Sequence, residues 1–174
     1  GGIANAGLIT GNMSSAAGLV ASVAMAGNIY NSASGVIAGL TGIKLANASV
    51  AGGITNAGLI VGAIAGIGAI NVSAGARETV LNLAGASIVG AINGNVNVTN
   101  SGYWALQSLP TVGGTIGAGT SVSSNISGNY VQDATGVLSI GVNGVSGTGT
   151  QSGHYSQLTV AGTASLNGGT VNVS

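Results

Sequence analysis

The chain has 174 residues, of which 2% are charged, and its formal net charge is zero; an ordinary globular domain carries about 25% charged residues. Its only Lys and Arg, Lys44 and Arg77, form no basic patch, which excludes charge-driven nucleic-acid binding, and the lack of Cys excludes a disulfide framework. A mean hydropathy of +0.60 is the opposite of the high-charge, low-hydropathy profile of a disordered chain.

The first predicted element opens at Gly1-Gly2-Ile3-Ala4-Asn5, and the phrase returns as Gly27-Asn28-Ile29-Tyr30-Asn31 and Gly52-Gly53-Ile54-Thr55-Asn56. The opening glycines lie 26 and 25 residues apart. Each copy is completed by glycines around a bulky pair: Leu8-Ile9, Val36-Ile37 and Leu59-Ile60. A period of this size marks a stacked repeat, in which each unit buries its apolar face only against its neighbours.

Within the copies the periodicity is two. Ile3 and Asn5 alternate with Ala4, and Ile43-Lys44-Leu45 and Ile70-Asn71-Val72 alternate bulky with polar, the pattern of a half-buried strand. A helix would carry a glycine every few residues, at roughly 1 kcal/mol each relative to alanine. The expectation is therefore an all-β chain, a parallel β-helix (β-solenoid) with coils of about 25 residues. Each coil would hold a strand through Ile-x-Asn, a second through the bulky pair, and a third near Leu19–Val23, Ile43–Leu45 or Ile70–Val72. Ile3, Ile29 and Ile54 should form an inward apolar row. Asn5, Asn31 and Asn56 should form a structural amide ladder, since identical amides stacked at the strand spacing can donate and accept in turn. Asn100 is a candidate for the same series, and Asn47 is expected at a different corner.

Ala57–Ile70 is a run of Ala, Gly, Leu, Ile and Val with Gly58, Gly62 and Gly66 at the spacing of close-packed membrane helices. Its 14 residues would span about 21 Å as a helix, short of the roughly 30 Å of hydrocarbon. No membrane span is expected within the chain. Residues 73 to 79, with Arg77 and Glu78, read as a longer loop with both charges solvated. Val80–Leu83 and Val96–Thr99 then resume short alternating strands.

A soft boundary falls near residue 103, separating regular coils (1–102) from a continuation with longer loops (103–174). Beyond it lie Trp104, Pro110 and a Gly/Ser/Thr-rich stretch over 113–128, then the alternating segments Tyr130–Gln132, Val137–Ile140 and Gln157–Val160. Gly144–Gly153 reads as an exposed loop or hairpin. Tyr30, Tyr103 and Trp104 are aromatics for ligand contact or corner burial, and no site is assigned to them.

The chemistry-bearing residues are few. His154 is the only base for a nucleophile triad and reads as a loop residue, with Asp133 the only Asp. A glycosidase pair would have to be Glu78 and Asp133, from different coils. The expectation is no catalytic, metal or cofactor site and no enzyme.

The stretch Gly128-Asn129-Tyr130-Val131-Gln132, Gly136–Ile140 and Tyr155 to Val173 resembles the closing repeat of bacterial autotransporter passenger domains. The Ile-x-Asn phrases are similar to their upstream coils and to those of filamentous-haemagglutinin-like exoproteins. The resemblance implies a right-handed parallel β-helix that is secreted or displayed on a bacterial surface. It further implies a structural or adhesive role toward a host or neighbouring-cell glycan or protein. The chain begins at Gly1 without an export signal, and no outer-membrane barrel follows Ser174, so the expectation is a cleaved or excised piece or a separate subunit. The second reading is self-association into fibres, each chain a subunit of an extracellular filament built by end-to-end coil stacking or strand addition. A third is an ice- or polysaccharide-binding face of Ser, Thr and Asn rows; the lack of a Thr-x-Thr row at the coil period counts against ice.

Overall fold

A computed structural model describes residues 1–12, 15–62, 69–73, 76–107, 122–142 and 155–173. Among them the backbone forms twenty strands and no helix. The first coil holds β1 (Ile3–Asn5), β2 (Leu8–Thr10) and β3 (Leu19–Ala21). The second holds β4 (Ile29–Asn31), β5 (Val36–Gly39) and β6 (Ile43–Ala46), and the third β7 (Ile54–Asn56), β8 (Leu59–Gly62) and β9 (Ile70–Ser73). β10 (Glu78–Asn82), β11 (Ser87–Val89) and β12 (Ile92–Gly94) follow, then β13 (Val96–Asn100), β14 (Tyr103–Leu106) and β15 (Ser123–Ile126). The column closes with β16 (Tyr130–Gln132), β17 (Val137–Ile140) and β18 (Gln157–Val160), then β19 (Ala164–Leu166) and β20 (Thr170–Val173).

Every third strand pairs in parallel, giving two seven-stranded sheets and one of six. We call them A (β1 to β19), B (β2 to β20) and C (β3 to β18). The chain is a parallel β-solenoid. The sheets run through residue 103 without a break, since β11 pairs with β14 and β13 with β16.

Because the side-chain period is two, in-register stacking turns each repeated residue into a row. Ile3 lies over Ile29, Ile29 over Ile54, and Ile54 over Val80 in sheet A. In sheet B, Ile9, Ile37, Ile60, Ile88 and Trp104 form the matching row, and in sheet C, Leu19, Ile43, Ile70 and Ile92. Ile29, Ile37, Ile43, Ile60, Ile70, Ile88 and Ile92 are fully buried, each contributing roughly 2 kcal/mol of apolar transfer. Where the row reaches Trp104 the ring fills the interior, meets Tyr130 edge-on at 5.7 Å, and donates its Nε1–H to Gly90 O at 2.9 Å.

Coil length departs from a constant value of about 25. The first three steps along the ladder are 26, 25 and 26 residues, the fourth is 18, and the last two, read from Asn97 to Asn129 and from Asn129 to Thr163, are 32 and 34. The short coil is made possible by glycines with positive φ at its corners, Gly90 (116°) and Gly94 (107°). The extra length of the late coils falls between β14 and β15 and between β17 and β18. Residues 108–121 and 143–154, which include the Gly144–Gly153 loop and His154, lie outside the described residues.

Two further expectations are corrected. The third strand of the first coil stops at Ala21, leaving Val23 exposed. Residues 73 to 79 are not a longer loop: β9 runs to Ser73 and β10 begins at Glu78, a shorter connection than those from β3 to β4 and from β6 to β7. Glu78 is buried at 3% exposure, because its carboxylate completes a piece of backbone pairing described below.

Candidate functional site

The corner between sheets A and B holds the Asn row. Asn5 Nδ2 donates to Asn31 Oδ1 (2.9 Å), Asn31 to Asn56 (2.9 Å), Asn56 to Asn82 (2.9 Å) and Asn82 to Asn100 (2.8 Å). Asn31, Asn56, Asn82 and Asn100 are all but inaccessible to solvent. Each amide also donates to a carbonyl at the start of sheet B, for instance Asn56 Nδ2 to Ser87 O at 3.0 Å and Asn82 Nδ2 to Tyr103 O at 3.1 Å. The row thus ties sheet A to sheet B and satisfies carbonyls that the sharp corner leaves without a ladder partner. Close approach there demands glycine: a Cβ on Gly35 would sit 2.2 Å from Asn31 Oδ1.

Asn5, Asn31 and Asn56 are three rungs, and Asn100 is the last Asn of the series. Asn82, read only as part of a strand, is the rung between Asn56 and Asn100. Its signal is Val80-Leu81-Asn82, the same β-branched-x-Asn spelling as Ile54-Thr55-Asn56 without the leading glycines. Gln132 takes the next position and accepts from Tyr130 Oη at 2.7 Å. Leu166 ends the row with no amide. Burial pushes the Tyr130 phenol up from its ordinary 10.0 to about 12, while its hydrogen bond with the Asn100 side chain pulls the other way.

The corner between sheets C and A is built differently. In the first two coils it carries a short fourth side: Met25 pairs with Val50, Met25 N donates to Ser49 O at 2.8 Å and Ala51 N to Met25 O at 2.9 Å. Among the described residues the third coil has no such segment. Instead Glu78 Oε1 accepts the Val50 N–H at 3.1 Å, standing in for the missing carbonyl. Asn47, with φ of 56°, belongs to this corner rather than to the ladder.

Past that step the cross-section contracts until only Asn95 separates β12 from β13. The contraction leaves an open cleft of about 350 Å³ over the third to sixth coils, with Val72, Ile126 and Ala161 among its apolar walls. Asn125 and Thr159 line its sheet C side. Arg77 stands at its rim, with Nε donating to Asn95 Oδ1 (3.1 Å) and Nη2 to Ser127 O (3.5 Å).

Chemistry on these surfaces is that of amides and hydroxyls. Glu78 is buried at the C–A corner, whereas Asp133 lies at the A–B corner and accepts from Ser101 Oγ at 2.6 Å, so the two carboxylates are not brought together. Among the described residues no three His, Cys, Asp or Glu side chains cluster to hold a metal, and no helix is long and apolar enough to cross a membrane. Trp104 is interior, Tyr30 is exposed on the outer face of sheet A, and Tyr103 is half-buried on the outer face of sheet B. No protein-family model, curated protein or solved structure matches the chain.

Proposed function

We propose that this chain is a structural and adhesive β-solenoid that works outside the cell, secreted or held at a bacterial surface in the manner of an autotransporter passenger. The observation that carries the reading is the division of labour between its two sides. Inward rows and the buried ladder make a rigid column, while sheet C presents a repeating outer row of amides and hydroxyls. A column of this kind holds a binding face at a fixed distance and orientation. The test is binding of the purified chain to cells and to a glycan array, beside a variant whose outward polar residues are scrambled. Signal above that control is the expected result; its absence would leave a purely structural role.

A second reading, a filament subunit, has its own support. Leu166, Val171 and Val173 continue inward rows in the last coil yet are 62%, 45% and 68% exposed. A further coil, whether of the same polypeptide or of another copy, would cover them. Electron microscopy separates the possibilities: fibres of stacked columns favour the filament, and monodisperse short rods at all concentrations exclude it.

A further inference from the structure

We propose that the outer face of sheet C, together with the cleft beside it, binds an acidic polysaccharide lying along the column axis. The inference rests on the adhesive reading and names its ligand class. Three observations carry it.

The first is a continuous outward row. Lys44 pairs with Asn71 and Asn71 with Asn93; Asn93 Oδ1 accepts the backbone N–H of Asn125 at 2.8 Å, and Asn125 pairs with Thr159. Lys44, Asn125 and Thr159 are exposed, and Asn71 and Asn93 half-buried. Four strand steps separate Lys44 from Thr159, about 19 Å at ~4.8 Å per step, so donors and acceptors recur at about the length of one sugar ring.

The second is charge. Lys44 and Arg77, the only two Lys or Arg residues in the chain, are both exposed on this side of the column, Lys44 in the row and Arg77 over the neighbouring cleft. Glu78 is turned into the core, and Asp133 lies at the A–B corner. Both exposed cations therefore sit on one side of a molecule of zero formal net charge, with the one carboxylate of that side, Glu78, buried beneath them at the C–A corner. Guanidinium offers five N–H donors in a planar fork suited to a carboxylate. Two of its nitrogens hold Asn95 and Ser127, which fixes its orientation at the rim.

The third is shape. The cleft is open and has apolar walls beside polar groups, which suits a pyranose ring with a C–H face and hydroxyl edges. The contraction after Glu78 creates it, so it accompanies the step that places Arg77 there. A nucleic acid, with its dense phosphate charge, would need many more cations than two. A uronic-acid polymer, with carboxylates spaced along a hydroxyl-rich chain, matches sparse cations set among amides.

The experiment is calorimetric titration of the full chain with a galacturonic-acid decamer and with a neutral galactose-based oligomer of equal length, at low salt. The acidic oligomer should bind at least about tenfold more tightly, and raising the salt to about 0.5 M should weaken it. Lys44→Gln and Arg77→Gln should each weaken it about fivefold, the upper end for an exposed charge pair, and leave the neutral oligomer unaffected. Asn125→Ala with Thr159→Val should weaken both oligomers. Lys44 is exposed in mid-sheet and its change leaves packing intact, so K44Q decides the matter even if R77Q disturbs the Asn95 contact. Equal affinity for the two oligomers, or unchanged acidic binding by K44Q, overturns the inference. A chain that lights up neutral glycans on the array but ignores the uronate oligomer loses this ligand and keeps its adhesive role.

Discussion

Asn56 has no exposed surface, and its side-chain bonds reach Asn31, Asn82, Gly58 and Ser87. Replacing it with Ala strands the Asn31 donor and the Asn82 acceptor together, so Asn56→Ala should cost about 3 kcal/mol or more. Asn5→Ala, at the edge of the row, removes the donor to Asn31 Oδ1 and Val36 O and the acceptor of the Gly7 N–H. It interrupts no ladder on its far side, and these bonds are in part only half-buried, so it should cost less, about 1–2 kcal/mol. Chemical denaturation of the two variants checks the difference. Tyr130 supplies a pH test. Its phenol is held neutral up to about 12 in the fold against 10.0 when unfolded, so between these values the unfolded chain binds fewer protons and stability falls as pH rises. Below pH 10 this contribution is fully present, and above about 12 it is gone. Tyr130→Phe should remove that fall, measured as the difference in denaturation midpoint between pH 9 and pH 12. It should also cost about 1–2 kcal/mol near neutrality by leaving Gln132 Oε1 without its donor.

At the level of strands and corners, glycines with positive φ are not equivalent. A Cβ on Gly94 would lie 1.8 Å from Val72 O, so Gly94→Ala should cost more than about 3 kcal/mol and open the 18-residue coil. Gly85 has φ of +82° and nothing within 4 Å, so Gly85→Ala should cost only the left-handed strain, about 1 kcal/mol. Thermal melts of the pair would distinguish crowding from backbone strain. The strands themselves were legible in the sequence because alternation repeats coil after coil: Ile3-x-Asn5, Ile29-x-Asn31 and Ile54-x-Asn56 fix the register of sheet A. The step at Glu78 was not legible. Charge argued for exposure, and nothing local marks Val50 as an N–H lacking a partner, because that partner would have come from a coil about 25 residues on. Nor was the cleft legible, for it arises from the shortening of the connection between sheets C and A in the later coils. Glu78→Ala should leave the Val50 amide unsatisfied and raise its hydrogen-exchange rate more than those of its neighbours, at a cost of about 2 kcal/mol.

Across the whole molecule, each strand pairs only with the strands of the coils above and below, so stability is close to a sum of neighbouring interfaces. Exchange protection in this chain should peak from β7 to β13, where the inward rows are fully enclosed, and fall sharply in β19 and β20, whose residues are largely exposed. Uniform protection along the column would contradict that picture. The corners under the ladder are two residues long at Ala6-Gly7, Ala57-Gly58 and Ser101-Gly102, and four residues long at 32–35, 83–86 and 133–136. Between sheets B and C the connection ranges from the pair Gly90-Ala91 to the stretch 107–122, while the rungs remain at 2.8–2.9 Å. The solenoid therefore has one seam that is locked and one that is a hem. Evolution, or an engineer seeking to graft a peptide epitope, can lengthen the chain between sheets B and C without disturbing the register of any other coil.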